Sequence, residues 1–248
     1  MTRFFTQPQN ITGDVIQLSD EDSAHIRSLR LRPSEEFIVC DGEGRDYICR
    51  LAGRVYSAEG PGPAMAEIIE SKPTAGEPDV ECTVYLALAK GDRLDYAVQK
   101  SVELGARGIV LFRSERCVSV PGENAKKTSR LDRIALEAAK QCGRGRIPRV
   151  TAAASFKEAM EQASKADLPL FFYEAEEELS IKAALESGAG AASISIVTGP
   201  EGGFSEREAA FAASLWMLTV SLGPRILRCE TAPAAALAVI MYHTGNLA

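Results

Sequence analysis

Between residues 80 and 222, short continuous apolar runs alternate with segments in which apolar residues recur every third or fourth position. The runs at 83–89, 108–112, 168–173, 193–198 and 217–222 predict buried strands. The periodic segments at 94–104, 129–142, 155–165, 180–187 and 206–214, with a further one at 234–242, predict amphipathic helices. Apolar strands each followed by a helix imply a parallel sheet covered on both faces. Ligands of such sheets sit in loops beyond the carboxyl ends of the strands. Before residue 72 the pattern changes to alternating or short apolar runs at 14–18, 37–41, 47–51 and 64–69. Asp41-Gly42-Glu43-Gly44 supplies a hairpin-turn signal between two of them, and one short helix is expected at 20–31, opened by Ser19 and Asp20. The non-periodic stretch from Lys72 to Asp79, with two prolines and a glycine, reads as a linker. The expected organisation is therefore a β-rich domain over 1–72, a linker over 73–79 and an α/β domain over 80–248.

The chain has 248 residues, 46% of them hydrophobic and 25% charged, with a mean hydropathy of −0.06. This composition excludes collagen, disordered tails and small disulfide scaffolds. The longest apolar run, 232–241, contains Pro233 and falls far short of the roughly 20 residues needed to span a bilayer. Polar Thr6 and Gln7 interrupt the N-terminus before a signal-peptide core could form, so a cytoplasmic protein with no membrane partner is expected. Six scattered cysteines without a C-x-x-C pair, and only two histidines, His25 and His243, argue against a metal site. His243 is expected to pack.

The net charge of −6 hides an asymmetry. From Arg113 to Arg149 there are ten Lys or Arg against four acids, a net +6, leaving −12 for the rest. Within it Arg130, Arg133, Glu137, Lys140 and Arg144 share one helical face. A basic face in an acidic protein fits a polyanion, although such stripes are also often merely solvated.

Two strand ends carry unusual loops. Residues 198–205 read Thr-Gly-Pro-Glu-Gly-Gly-Phe-Ser, with Ser205 and Glu208 spaced as a helix-capping box. The glycine spacing matches no nucleotide-phosphate motif, and Glu201 would repel a phosphate. Residues 222–232 read Leu-Gly-Pro-Arg-Ile-Leu-Arg-Cys-Glu-Thr-Ala. Here Arg228 pairing with Glu230 and Thr231 capping the last helix compete with a ligand pocket in which Ile226 and Leu227 sandwich a flat ring.

Together these loops resemble the cofactor loops of SPOUT-class RNA methyltransferases, and more narrowly those of the 16S ribosomal RNA uridine-N3 methyltransferases, the RsmE family. Residues 24–30, 100–105 and 137–144 match that family in the same order. The resemblance implies a PUA-like β-barrel followed by a SPOUT-type parallel-sheet domain tied in a deep C-terminal trefoil knot, S-adenosylmethionine as cofactor, and a homodimer. It implies that Thr198, Gly199, Gly203, Leu222, Gly223, Ile226, Leu227 and Thr231 line the cofactor site. The implied reaction is N3-methylation of uridine 1498 in the decoding region of 16S rRNA, on the small ribosomal subunit. Uridine N3 bears a proton, so Arg225 and Arg228 are candidates to stabilise its anion, and Glu230 to accept the proton. Arg3, Arg27, Arg30, Arg116, Arg130, Arg133, Lys140, Arg144 and Arg146 are the candidate RNA contacts. Two alternatives remain open: a methyltransferase of the same class acting on another RNA, such as a tRNA ribose hydroxyl, and a non-catalytic ribosome-assembly factor.

Overall fold

The computed structural model describes residues 1–57, 60–117 and 124–247. The chain forms two units, Met1–Glu77 with Ala139–Ile147, and Pro78–Ala138 with Pro148–Ala248.

The first unit is a six-stranded mixed sheet in the order β1-β4-β5-β6-β3-β2, formed by β1 (Arg3–Phe5), β2 (Ile11–Thr12), β3 (Val15–Gln17), β4 (Phe37–Cys40), β5 (Arg45–Ser57) and β6 (Gly60–Pro73), with helix α1 (Asp20–Leu29). The predicted turn closes the β4/β5 hairpin, where the Asp41 carboxylate accepts the Glu43 and Arg45 amides and Gly42 and Gly44 take positive φ. Register shifts between Ile48 and Cys49 and between Leu51 and Gly53 mark bulges in the long β5/β6 pair, which add twist. The sheet covers a core of Phe4, Ile16, Leu18, Ile26, Phe37 and Val39. Ser19 caps α1 by accepting the Asp22 amide, and three acidic residues in its first turn complement the helix dipole.

Residues 73–77 of the expected linker are part of this unit. Thr74 is buried and its hydroxyl donates to Asp46 (2.7 Å), which also takes a bidentate pair from Arg3. Glu77 accepts Arg144 Nε and Nη2 (both 2.9 Å) together with the Gly145 and Arg146 amides. That clamp counts residues 139–147, the last turn of a long helix and its following loop, with the first unit. The compact units thus divide at Glu77, and the first includes residues 139–147 from the middle of the chain.

The second unit is a six-stranded, all-parallel sheet in the order β12-β10-β11-β7-β8-β9. Its strands are β7 (Glu81–Ala87), β8 (Gly108–Phe112), β9 (Arg149–Ala152), β10 (Leu168–Phe172), β11 (Ser193–Thr198) and β12 (Leu218–Val220). Its helices are α2 (Arg93–Glu103), α3 (Asn124–Cys142), α4 (Phe156–Ala163), α5 (Ile181–Ser187), α6 (Glu206–Ser214) and α7 (Thr231–His243). Strand β9 has no counterpart among the predicted strands because only Val150 of its four residues is buried. β12 lies at the sheet edge, yet the chain returns from it to α7, which packs on β11 and β7 near the middle of the sheet. Among the described residues no helix is long and apolar enough to cross a membrane.

Burial pushes the Asp46 carboxyl up, but the Arg3 and Thr74 hydrogen bonds outweigh it, and the group sits below the usual carboxylate range. Its stabilisation is therefore complete above the ordinary carboxylate pKa and fades as pH falls through the lowered one. Asp46→Ala, which strands the Arg3 charge, is expected to cost about 3 kcal/mol in urea unfolding at pH 7. The cost should shrink towards pH 3; a flat pH dependence would contradict the assignment.

Candidate functional site

The parallel sheet sets three loops side by side at its carboxyl edge, because β12, β10 and β11 are neighbours. They are 199–205 after β11, 221–230 after β12, and 173–180 after β10 between them. The loop after β12 is bound to the loop after β10: the Tyr173 amide donates to Val220 O, the Ser221 amide to Leu179 O, and the Ile181 amide to Ser221 O.

The glycine-rich turn is anchored from below. Phe204 is buried within the core, 4.3 Å from the Phe171 ring centroid and stacked with Phe112 at 6.4 Å. A Cβ on Gly199 would come within 3.2 Å of that Phe204 ring, so the backbone wraps directly around it. Ser205 and Glu208 form the expected capping box. The loop after β8 reinforces it: the Ser205 hydroxyl lies 2.8 Å from Glu115 Oε2, the Glu115 amide donates to Glu208, and Arg116 Nη1 donates to Gly202 O (3.2 Å).

Glu201, read from the sequence as an obstacle to phosphate, has a structural partner. It accepts Arg93 Nη1 (2.7 Å) and the Lys90 amide (3.1 Å). Burial raises its pKa, but these donors and its own amide lower it further, leaving a net downward shift. The same guanidinium lies in the field of Glu230, so the start of α2 joins both C-terminal loops electrostatically. Sequence reasoning missed Arg93 because a cation opening an amphipathic helix carries no signal of its own.

The candidate cofactor residues gather at this edge. Thr198 ends β11 with its hydroxyl buried and without a hydrogen-bond partner among the described residues, an orphan that a bound polar group would satisfy. Gly203 has φ +65°, and a Cβ there would meet Glu174 Oε1 at 1.7 Å, whereas Gly223 (φ +95°) faces open space. Ile226 is 86% exposed and Leu227 is half-buried, an apolar pair available to a flat ring. Thr231 opens α7 instead of capping it: Glu230 stands at the cap position without a capping side-chain bond, and the Thr231 amide donates to Arg228 O (2.8 Å).

Arg225 and Arg228 are exposed, and no ion pair joins Arg228 to Glu230 among the described residues. The Glu230 carboxylate instead lies 3.2 Å from Cys229 Sγ. Burial, and then Glu230, push that thiol up to about 12, so it stays protonated and is no nucleophile at neutral pH.

The candidate RNA contacts divide. Arg27, Arg30, Arg116 and Arg133 are exposed, and Arg146 is half-buried. Arg130 is exposed but paired with Asp95, and Lys140 lies 3.7 Å from Asp22. Arg3 and Arg144 have side chains only 9% and 3% exposed, paired with Asp46 and Glu77. These two hold the first unit together and are corrected from the RNA-facing set. His243, expected to pack, is exposed, while Lys126 and Lys127 have side chains outside the described residues.

Comparison with known proteins gives a consistent result. A family model described as RNA methyltransferase domain matches residues 76–241, and one described as RNA methyltransferase PUA domain matches 18–54. Ribosomal RNA small subunit methyltransferase E of Bacillus subtilis is 32% identical over 254 residues, covering 98% of this chain and 97% of its own. The protein of the same name from Mycobacterium bovis is 31% identical, covering 98% and 92%. Among solved structures, ribosomal RNA small subunit methyltransferase E from Neisseria gonorrhoeae bound to S-adenosyl methionine superposes with a TM-score of 0.85 at 33% identity, covering 98% of this chain and 97% of that one. A putative methyltransferase from Legionella pneumophila in complex with the same cofactor gives 0.81 at 27% identity, covering 97% of each chain.

The half-exposed Arg93–Glu201 pair is screened by solvent and acts on the turn rather than on the whole fold. Arg93→Ala is therefore expected to speed amide hydrogen exchange in residues 199–205 about fivefold while leaving global unfolding nearly unchanged. Unchanged exchange would show that the pair does not hold the turn.

Proposed function

Since the chain belongs to the ribosomal RNA small subunit methyltransferase E family of RNA methyltransferases, we propose that it transfers a methyl group from S-adenosylmethionine to N3 of uridine 1498 in 16S rRNA. The observation that carries this reading is the placement of the glycine-rich turn after β11 and the Arg-Glu-Thr loop after β12 at one edge of the sheet, on either side of β10, in a chain similar over 98% of its length to a structure bound to that cofactor.

The residues present fit the cofactor: an orphaned threonine hydroxyl, side-chain-free backbone at Gly203 and Gly223, and the exposed Ile226 beside Leu227. When bound, the cofactor supplies an activated methyl group on a good leaving group. The protein then has to orient the uracil and manage one proton. Arg228 and Arg225 project from the loop beside the cofactor residues and hold the negative charge that develops on the uracil as N3 loses its proton. Glu230, half-buried at the start of α7, is the carboxylate available in that loop to accept the proton.

Arg27, Arg30, Arg116, Arg133 and Arg146 contact RNA phosphates, with Arg130 and Lys140 contributing through their paired charges. With few aromatic side chains in the basic segment, recognition rests on shape and backbone, which favours the assembled small subunit as substrate. The working form is a homodimer in the cytoplasm. Tyr96 on α2, with Val239 and Tyr242 on α7, supports the dimer, because these helices pack together and leave apolar side chains exposed.

The test is incubation with labelled S-adenosylmethionine and small subunits lacking the modification, followed by nucleoside mass spectrometry. N3-methyluridine in the decoding region is expected, with Arg228→Ala lowering kcat about 100-fold and changing cofactor affinity little. A ribose-methylated nucleoside would assign another RNA target, and no labelled nucleoside would favour an assembly factor.

A further inference from the structure

Glu174, the second residue after β10, belongs to none of the motifs that mark the site in the sequence, yet its carboxylate lies on the glycine-rich turn. The Cβ that Gly203 lacks would fall 1.7 Å from Glu174 Oε1, 2.5 Å from its Cδ and 3.0 Å from Oε2. The carboxylate thus occupies the space that a side chain at 203 would fill. Gly203 does not hold it there by a hydrogen bond, because the Gly203 amide donates to Pro200 O.

Several other carboxylates on or beside these loops have partners. Glu201 takes Arg93 and the Lys90 amide, Glu176 takes the Glu178 and Leu179 amides, Glu115 and Glu208 share Ser205, and Glu230 takes the Cys229 thiol. Glu174 has no hydrogen bond or ion pair among the described residues. It is exposed, its carboxylate lies where the loop after β10 meets the glycine-rich turn, and Glu176, Glu177 and Glu178 follow on the same loop. An unpaired carboxylate here has no use for an anion and attracts a cation.

We propose that Glu174 is the specificity-determining carboxylate of the cofactor site, accepting a positively charged group of the methyl donor. This inference rests on the site being an S-adenosylmethionine site. Two groups on that ligand carry positive charge, the sulfonium and the ammonium of the amino-acid tail. If the sulfonium is the partner, the charge disappears when the methyl group leaves, so Glu174 favours the donor over its demethylated product and assists product release.

The test is calorimetric titration of the full chain and of Glu174→Gln, an isosteric neutral variant, with three ligands: S-adenosylmethionine, S-adenosylhomocysteine and methylthioadenosine, which lacks both charged groups. Circular dichroism and thermal unfolding check that the variant is folded. The expected result is a loss of about fivefold to tenfold in affinity for S-adenosylmethionine, with methylthioadenosine unchanged. Unchanged S-adenosylhomocysteine affinity identifies the sulfonium as the partner, and an equal loss identifies the ammonium. Equal weakening of all three ligands, or of none, overturns the proposal. Failure of the unsubstituted chain to bind any of them would instead overturn the reading of the site itself.

Discussion

The burial of Phe204 is the constraint on which the site depends. A glycine-rich turn has little reason to keep one conformation, because glycine carries the largest backbone entropy of any residue. Here the turn is stretched between the end of β11 and a ring packed against Phe171 and Phe112 in the core. Fully burying such a ring contributes about 1.5–3 kcal/mol, enough to hold the few residues between the two fixed points. The Ser205–Glu208 capping box and the Glu115 and Arg116 contacts then fix where α6 begins. What remains exposed of the turn is backbone, which is what close approach to a ligand needs.

Charge is distributed according to the same logic. Arg3, Arg93 and Arg144 are indistinguishable in type from the arginines proposed to meet RNA, yet each is engaged by a carboxylate of its own unit. The deeply buried pairs, Arg3–Asp46 and Arg144–Glu77, fix the shape of the first unit, and the exposed Arg93–Glu201 pair contributes little energy but joins two loops. Arg225 and Arg228 have no ion pair among the described residues and are exposed on the loop after β12, where the proposed reaction develops negative charge. A basic segment with a net +6 therefore presents a smaller free positive surface than its composition suggests.

Much of this molecule was legible from its residues, and each success has a local cause. The parallel sheet followed from uninterrupted apolar runs, α6 from a capping box four residues long, the β4/β5 turn from the glycines at 42 and 44, and the two C-terminal loops from glycine and Arg-Glu-Thr clusters at strand ends. The failures share a cause as well. β9 buries only Val150 and so lacked an apolar run. The stretch at 73–79 has the composition of a linker, but Thr74 and Glu77 found partners far away in sequence, at Asp46 and Arg144. Periodicity placed Arg144 on the polar face of a helix and could not foresee that Glu77 would bury it.

The sequence by itself determined which segments become strands and helices, where backbone is left bare by glycine, and which family the chain resembles, because these depend on residues near one another along the chain. Only the tertiary structure decided which charges are free, that Arg93 neutralises Glu201, that residues 139–147 belong with the first unit, and that the Glu174 carboxylate rests on Gly203. The approach of Glu174 to Gly203 depends on strand order, which sets β10 beside β11, and the Arg93–Glu201 pair on β7 lying beside β11 although 108 residues separate the two side chains along the chain. A side chain's partner across that distance is set by the packing of the whole sheet and leaves no trace in the spacing of its neighbours.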